Sequence, residues 1–368
     1  MWKKQRKILN HSFSQKRIDS YSRVFIDEAE SLAYRLSKLV VRRNRDVQNV
    51  VLTCFTNTIC RTLFDVKYEM DIETHVKELD RLLGNVARRG VRWFSHWSTP
   101  TSSVTEEFEK SWSYGKQIGG DIISEKRRQL AEIKELTEVG IDLERTKETF
   151  MLDNILERPE FTDQRAMSEL LLFIIAGSET SSSTLLFTFI ALAIYPDIQE
   201  RLYEDVVKVC GLDGPVTLEH LSHVEYVERV IKETLRIFAV APILGRYIQE
   251  DLDIGDMVLP KGSTVFLNVI HTHRNAKYWP DPLKFDPDRF LQKNASKIVP
   301  FSFIPFSHGF RNCIGHKYAM TSLKITLITI IRKVKIFTAY KTIGEVRVKS
   351  HFTLRPMMGW KLWFEARS

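Results

Sequence analysis

Residues 306–315 read Phe306-Ser307-His308-Gly309-Phe310-Arg311-Asn312-Cys313-Ile314-Gly315. One cysteine lies between two glycines, an arginine precedes it by two positions, and an apolar segment with helical spacing follows directly. Glycine lets a backbone turn tightly and come close to a flat ligand. A cysteine at a helix N-terminus feels the positive end of the dipole, and Arg311 adds charge, so this order favours the thiolate. A thiolate held this way suits axial ligation of haem iron. The competing reading is a buried structural cysteine in a turn.

A second group is Ala176-Gly177-Ser178-Glu179-Thr180, inside a long helical pattern. Glycine in a helix interior costs roughly 1 kcal/mol relative to alanine. A hydroxyl there can bond back to a carbonyl and open the helix. Together they predict a local distortion, with a small residue facing something bulky. Glu179 beside Thr180 is an acid next to an alcohol, the pair needed to deliver protons. The alternative is a surface glutamate and a packing threonine. Glu233-Thr234-Leu235-Arg236 puts an acid and a base on one helix face at i and i+3. Trp2 and Arg6, four apart, also share a face.

The elements that must position these groups are mostly helical. Apolar periodicity predicts helices over 20–40, 46–66, 74–97 and 104–136, the last two joined by a loop with Pro100. A polar linker over 137–147 precedes a long helix that Thr162 or Asp163 can cap, running to about 194. Helices over 196–209, 222–238 and 314–331 complete the set. Short strands punctuated by Gly255, Pro260 and Gly262 are expected at 247–248, 258–259 and 264–267, with strand-like pieces at 346–354 and 360–364.

Composition narrows the class. The 368 residues are 43% hydrophobic and 27% charged, which is ordinary for a globular chain. Cys54, Cys60, Cys210 and Cys313 are too few and scattered for a disulfide framework, and a reducing, cytosolic environment fits. Cys313 and His316 have half a zinc-site spacing with no second pair. The net charge is +8, but its basic clusters are dispersed and form no nucleic-acid-like block. The most apolar stretch, Leu170 to Ala176, is far too short to span a bilayer, so no membrane anchor is read in this chain.

The order Phe-x-x-Gly-x-Arg-x-Cys-x-Gly resembles the haem-binding loop of the cytochrome P450 family, the haem-thiolate monooxygenases. The other motifs follow in the family's order: Trp2 with Arg6, Glu179-Thr180, Glu233-x-x-Arg236 and Phe285-Asp286-Pro287-Asp288-Arg289-Phe290. Arg-Asn-Cys-Ile-Gly and Tyr-Trp-Pro-Asp-Pro look most like the family-4 type of insects. Phe310 departs from that branch, which carries proline there, so a less rigid loop is expected.

The resemblance implies a mainly α fold with a small β portion, one P450 domain over 1–368. The family's anchor, first helices, first strands and a substrate-contacting loop are expected before Trp2. It implies haem b with Cys313 as axial ligand. Arg311, Arg246, Trp2 and Arg6 would lie at the propionates, with Phe306 and Gly315 in the loop. Glu179 and Thr180 would be catalytic, and Glu233, Arg236 and Arg289 a buried structural triad. Phe173, Ala176, Gly177, Val240, Ala241, Ile243, Leu244, His351 and Phe352 are pocket candidates. The implied reaction inserts one oxygen atom of O2 into an apolar fatty acid, hormone or xenobiotic. Electrons come from NADPH through NADPH-cytochrome P450 reductase, with cytochrome b5 as an optional second donor. Lys3, Lys4, Lys7, Lys317 and Lys324 would form the docking face. The full-length protein is expected on the cytosolic face of the endoplasmic reticulum membrane. Two other classes stand beside this: a truncated, non-catalytic haem or hydrophobe binder, and a reductase-independent haem-thiolate isomerase or dehydratase.

Overall fold

The computed structural model describes residues 2–39, 44–68, 71–94, 102–138, 150–159 and 161–367. The first half is helical: α1 (Trp2–Leu9), α2 (Gln15–Ser20), α3 (Ser22–Lys38) and α4 (Asn44–Ile59), which runs into a π-helical turn at Cys60–Phe64. Then come α5 (Ile72–Phe94), α6 (Ser102–Glu138) and α7 (Met151–Leu156). The four early helices expected from periodicity are therefore α3, α4 with its π turn, α5 and α6. The Pro100 loop and most of the 137–147 linker lie outside the described residues. α7 is too short to carry a periodic signature. Asp153 fixes its start by accepting the Phe150 N–H at 2.7 Å, and Lys126 approaches the same carboxylate at 2.9 Å.

α8 (Asp163–Ile194) is the central helix. Thr162 caps it by accepting the Arg165 N–H. Its second half is buried on all sides, as expected of a helix surrounded by protein. Its hydroxyls are satisfied locally: Thr180, Thr184 and Thr188 donate to the carbonyls of Ala176, Thr180 and Thr184 at 2.6, 2.8 and 2.8 Å. Leu170–Ala176 marks only part of its apolar length. Among the described residues α8 is the one helix long and apolar enough to cross a membrane, and most of it is buried within the protein.

Pro196 opens α9 (Pro196–Cys210), followed by α10 (His220–His223) and α11 (Glu225–Ile237). The β portion consists of antiparallel pairs: β1 (Ile243–Tyr247) with β4 (Thr264–Asn268), and β2 (Leu252–Asp253) with β3 (Val258–Leu259). α12 (Val269–His273) and α13 (His316–Lys333) flank the irregular segment that carries the cysteine loop. β5 (Val334–Thr338) pairs with β8 (Leu362–Ala366), and β6 (Val348–His351) with β7 (Thr353–Pro356). The fold is mainly α with a small β portion. α13 lies along α3 and α4 lies along α8. One large buried cluster joins α8, α11 and α13, and a second joins α2, α3, the π turn and the first half of α8.

His273 stitches this frame to the cysteine loop. Its Nε2 accepts the Ile304 N–H at 2.9 Å, and its Nδ1 faces the Leu235 carbonyl at 3.3 Å. Burial pushes its pKa down from 6.5 to about 4. The unfolded chain therefore takes up this proton below about 6.5, while the folded protein resists it until about 4. Stability held above pH 6.5 is lost as pH falls through that window. Urea unfolding between pH 7 and 4 should show this loss, and His273→Gln should flatten the acid limb. An unchanged slope in the variant would remove His273 from the account.

Candidate functional site

A cavity of about 410 Å³ lies between α8, the link from α11 to β1, and the cysteine loop with the start of α13. Its lining is predominantly apolar. From α8 come Phe173, Ala176, Gly177 and Thr180; from the link come Val240 and Ala241, and from β1 comes Leu244. Facing them are Phe306, Arg311, Cys313 and Gly315. Ile243 and Phe352, expected in the pocket, lie exposed at the surface instead. The His351 side chain lies outside the described residues.

The loop is held by its own backbone and by two distant arginines. Cys313 donates its N–H to the Phe306 carbonyl at 2.9 Å. Gly309 sits at φ 76°, and Ser307 adopts φ 61° although it is not glycine. Such a conformation persists only when its surroundings over-determine it. Here Ser307 bonds the Ile304 carbonyl through its N–H at 3.0 Å, and Arg246 donates to its hydroxyl at 2.7 Å. Arg6 grips the other side, donating to the Asn312 carbonyl at 2.9 Å and to Asn312 Oδ1 at 3.0 Å. Arg311 lies 3.7 Å from the centre of the Trp2 ring, and Phe310 packs on the same indole at 5.8 Å. The less rigid loop expected at Phe310 is thus braced by an aromatic contact instead of by proline.

Two expectations require correction. Arg311 stacks on Trp2, so Arg6, not Arg311, is the cation that acts on the Cys313 sulfur. Burial nonetheless pushes the Cys313 thiol up, against the pull of the Gly315 N–H and Arg6. Second, Glu179 and Thr180 do not face the same space. Thr180 lines the cavity, whereas Glu179 is buried and accepts bonds from Thr353 and Arg355. Adjacent residues on an α-helix point about 100° apart, and here that turn carries Glu179 to the other side of α8. The bulky partner of Gly177 is Ile59 on α4: an added Cβ would meet its Cδ1 at 2.5 Å.

Behind the loop, Arg236 and Glu233 are fully buried and joined at 2.7 and 2.8 Å. Arg289 stands farther off, 3.4 Å from the same carboxylate, and donates to the Asp281 carbonyl. Sequence reasoning missed His273, Thr353, Arg355 and Asp80. Each makes a partner far along the chain, and none sits in a pattern that would mark it.

The family model for cytochrome P450 matches residues 1–353. The chain belongs to the cytochrome P450 family. Among curated relatives, this P450 is 28% identical to cytochrome P450 4c3 of Drosophila melanogaster, over 97% of the chain and 70% of that relative. It is 29% identical to probable cytochrome P450 4ac3 of the same insect, over 100% of the chain and 72% of the relative. A guinea-pig (Cavia porcellus) relative, cytochrome P450 3A17, is 36% identical over 53% of the chain. The insect family-4 likeness read in the motifs holds. The protein is a haem-thiolate monooxygenase.

The residues fit the group this P450 family carries. An apolar cavity holds one accessible cysteine, and the cations nearest it, Arg6, Arg246 and Arg311, have only neutral partners among the described residues. Fixed guanidiniums without carboxylates of their own suit the acidic side chains of a macrocycle.

The four cysteines differ sharply in access. Cys54, Cys60 and Cys210 are buried in the packed protein, whereas Cys313 is reached through the cavity, whose apolar lining still desolvates its sulfur. Burial also pushes Cys60 up to about 12. In the haem-free protein a maleimide should therefore label Cys313 first and as a single addition by mass spectrometry, faster as pH rises. Haem should protect it. Preferential labelling of Cys54 or Cys60 would contradict this geometry.

Proposed function

We propose that this P450 hydroxylates an apolar substrate — a fatty acid, hormone or xenobiotic — with electrons from NADPH through NADPH-cytochrome P450 reductase, cytochrome b5 serving as a second donor. The observation that carries the reading is the shared cavity: Cys313 and Thr180 line one apolar space, the first from the cysteine loop and the second from α8. Residues 1–368 act as one catalytic domain in this reading, and the full-length protein works on the cytosolic face of the endoplasmic reticulum membrane.

Haem b bound in this cavity would be held by the Cys313 sulfur and would supply dioxygen activation and the insertion of one oxygen atom into a C–H bond. The chain's own tasks surround that chemistry. Cys313 would give up its thiol proton on ligation, as metal binding to a thiol requires. Arg6, Arg246, Arg311 and Trp2 would hold the propionates, and Phe306 and Gly315 would set the loop against the ring. Phe173, Ala176, Val240 and Leu244 exclude water and receive the substrate. Thr180 lines the cavity with its hydroxyl donating to the Ala176 carbonyl at 2.6 Å, and from there it would pass a proton. Glu179 supplies that proton from behind the helix. The reductase meets Lys3, Lys4 and Lys7 on α1, with Lys317 beside them. Lys324, expected on that face, is instead paired with Glu228 at 3.1 Å.

Cys313→Ser should abolish the thiolate-type carbon monoxide difference band, because a neutral hydroxyl is a poor iron ligand. A retained band would exclude Cys313 as the axial ligand. Thr180→Ala should keep haem content but lower product formed per NADPH by about tenfold, with peroxide taking up the difference. Unchanged coupling would remove Thr180 from proton delivery.

A further inference from the structure

The Glu179 carboxylate is anchored asymmetrically. Thr353 Oγ1 donates to its Oε1 at 2.8 Å, Arg355 Nη2 at 2.8 Å, Arg355 Nε at 3.3 Å and Ser183 Oγ at 3.4 Å. Oε2 takes none of these bonds. The remaining arm of the guanidinium, Arg355 Nη1, donates to Asp80 on α5. One cation is thus shared between a carboxylate on α8 and a carboxylate on α5. Side-chain exposure climbs along this line, from 3% at Glu179 through 11% at Arg355 to 45% at Asp80. The line runs from the wall behind the cavity to the surface.

Where it meets this line, α5 packs through a small apolar cluster of its own. Leu79 and Leu83 pack with Leu52 in a small cluster separate from the two large ones. His75 of the same helix is buried, and neither ring nitrogen has a hydrogen-bond partner among the described residues. An unsatisfied buried group lowers the cost of opening the segment that carries it.

We infer that Asp80 and Arg355 are positioning residues for Glu179, forming an ionic relay through which the placement of α5 sets how tightly the acid behind Thr180 is held. This rests on the reading that Glu179 and Thr180 deliver protons. With α5 in place, Asp80 takes a share of the guanidinium, and Glu179 is free to turn Oε2 toward Thr180. With α5 displaced, the whole cation falls on Glu179 and pins it away from the cavity. Arginine suits the role because its planar fork reaches both carboxylates at once, which an ammonium cannot do.

Asp80→Asn removes the charge at the half-exposed end of the relay, so the folded holoenzyme should survive it. Product per NADPH should fall about threefold, with haem content, carbon monoxide spectrum and KM unchanged. Asp80→Glu should restore it. Independently of turnover, hydrogen exchange should rise in Asp80→Asn both over 72–85 and over 353–356, segments joined through Arg355. If Thr180→Ala and Glu179→Gln uncouple while Asp80→Asn does not, the relay is wrong and the proton reading stands. If neither Thr180→Ala nor Glu179→Gln changes coupling, both fall. Increased exchange confined to 72–85 also overturns the relay.

Discussion

The buried guanidinium of Arg236 is the constraint on which the rest of this structure depends. It has no exposed surface, and all its arms are used: two bonds to Glu233, and others to the carbonyls of His273, Pro282 and Lys284. Glu233 in turn accepts the Asp286 N–H at 3.0 Å. Charges taken this far from water are tolerable only when paired and fully hydrogen-bonded, so the partners must come to them. That requirement draws the irregular segment 273–286 onto α11. From there Trp279 donates to the Ser302 carbonyl, and His273 accepts from Ile304. Two residues later the cysteine loop begins. The position of Cys313 is inherited, bond by bond, from an ion pair that never touches it.

α8 imposes a second constraint. One helix separates an apolar cavity from a charged support, and consecutive residues belong to different sides. Thr180 lines the cavity, and Glu179 is tied to Arg355. The acid is therefore stored where its charge is paired, and not in the apolar space where an unpaired carboxylate would be costly. Close packing of α4 through Ile59 and Gly177 keeps this wall thin.

Much of this was legible in the residue order because it depends on local pattern. The long helices follow from apolar spacing, Thr162 and Pro196 mark their ends, and Cys313 announces itself by its flanking glycines and arginine. What was not legible is long-range pairing. Nothing near Arg355 indicates that its partners are Glu179 and Asp80, and nothing near Arg311 shows that it stacks on Trp2 and leaves Arg6 to act on the sulfur. α7 escaped notice because six residues are too few for a period and its capping depends on Lys126 from another helix. Phe352 and Ile243 look like pocket residues by type and lie at the surface, since a hydrophobic side chain does not reveal which side of a hairpin it takes.

The bond between Arg6 and Asn312 spans 306 residues of chain. At synthesis rates of about 5–20 residues per second, the guanidinium waits roughly 15–60 s for the loop it must clasp. Throughout that interval the helices between them can collapse on local contacts alone, while the two walls of the cavity remain unjoined. Assembly of the pocket is therefore a late, non-local event, with the slow closure expected of contacts at high sequence separation. A nascent chain of this kind presents apolar α8 to the cell before the segment that covers it exists. The order in which ribosomes deliver these residues makes the newborn protein depend on chaperones or prompt cofactor supply far more than the finished fold does.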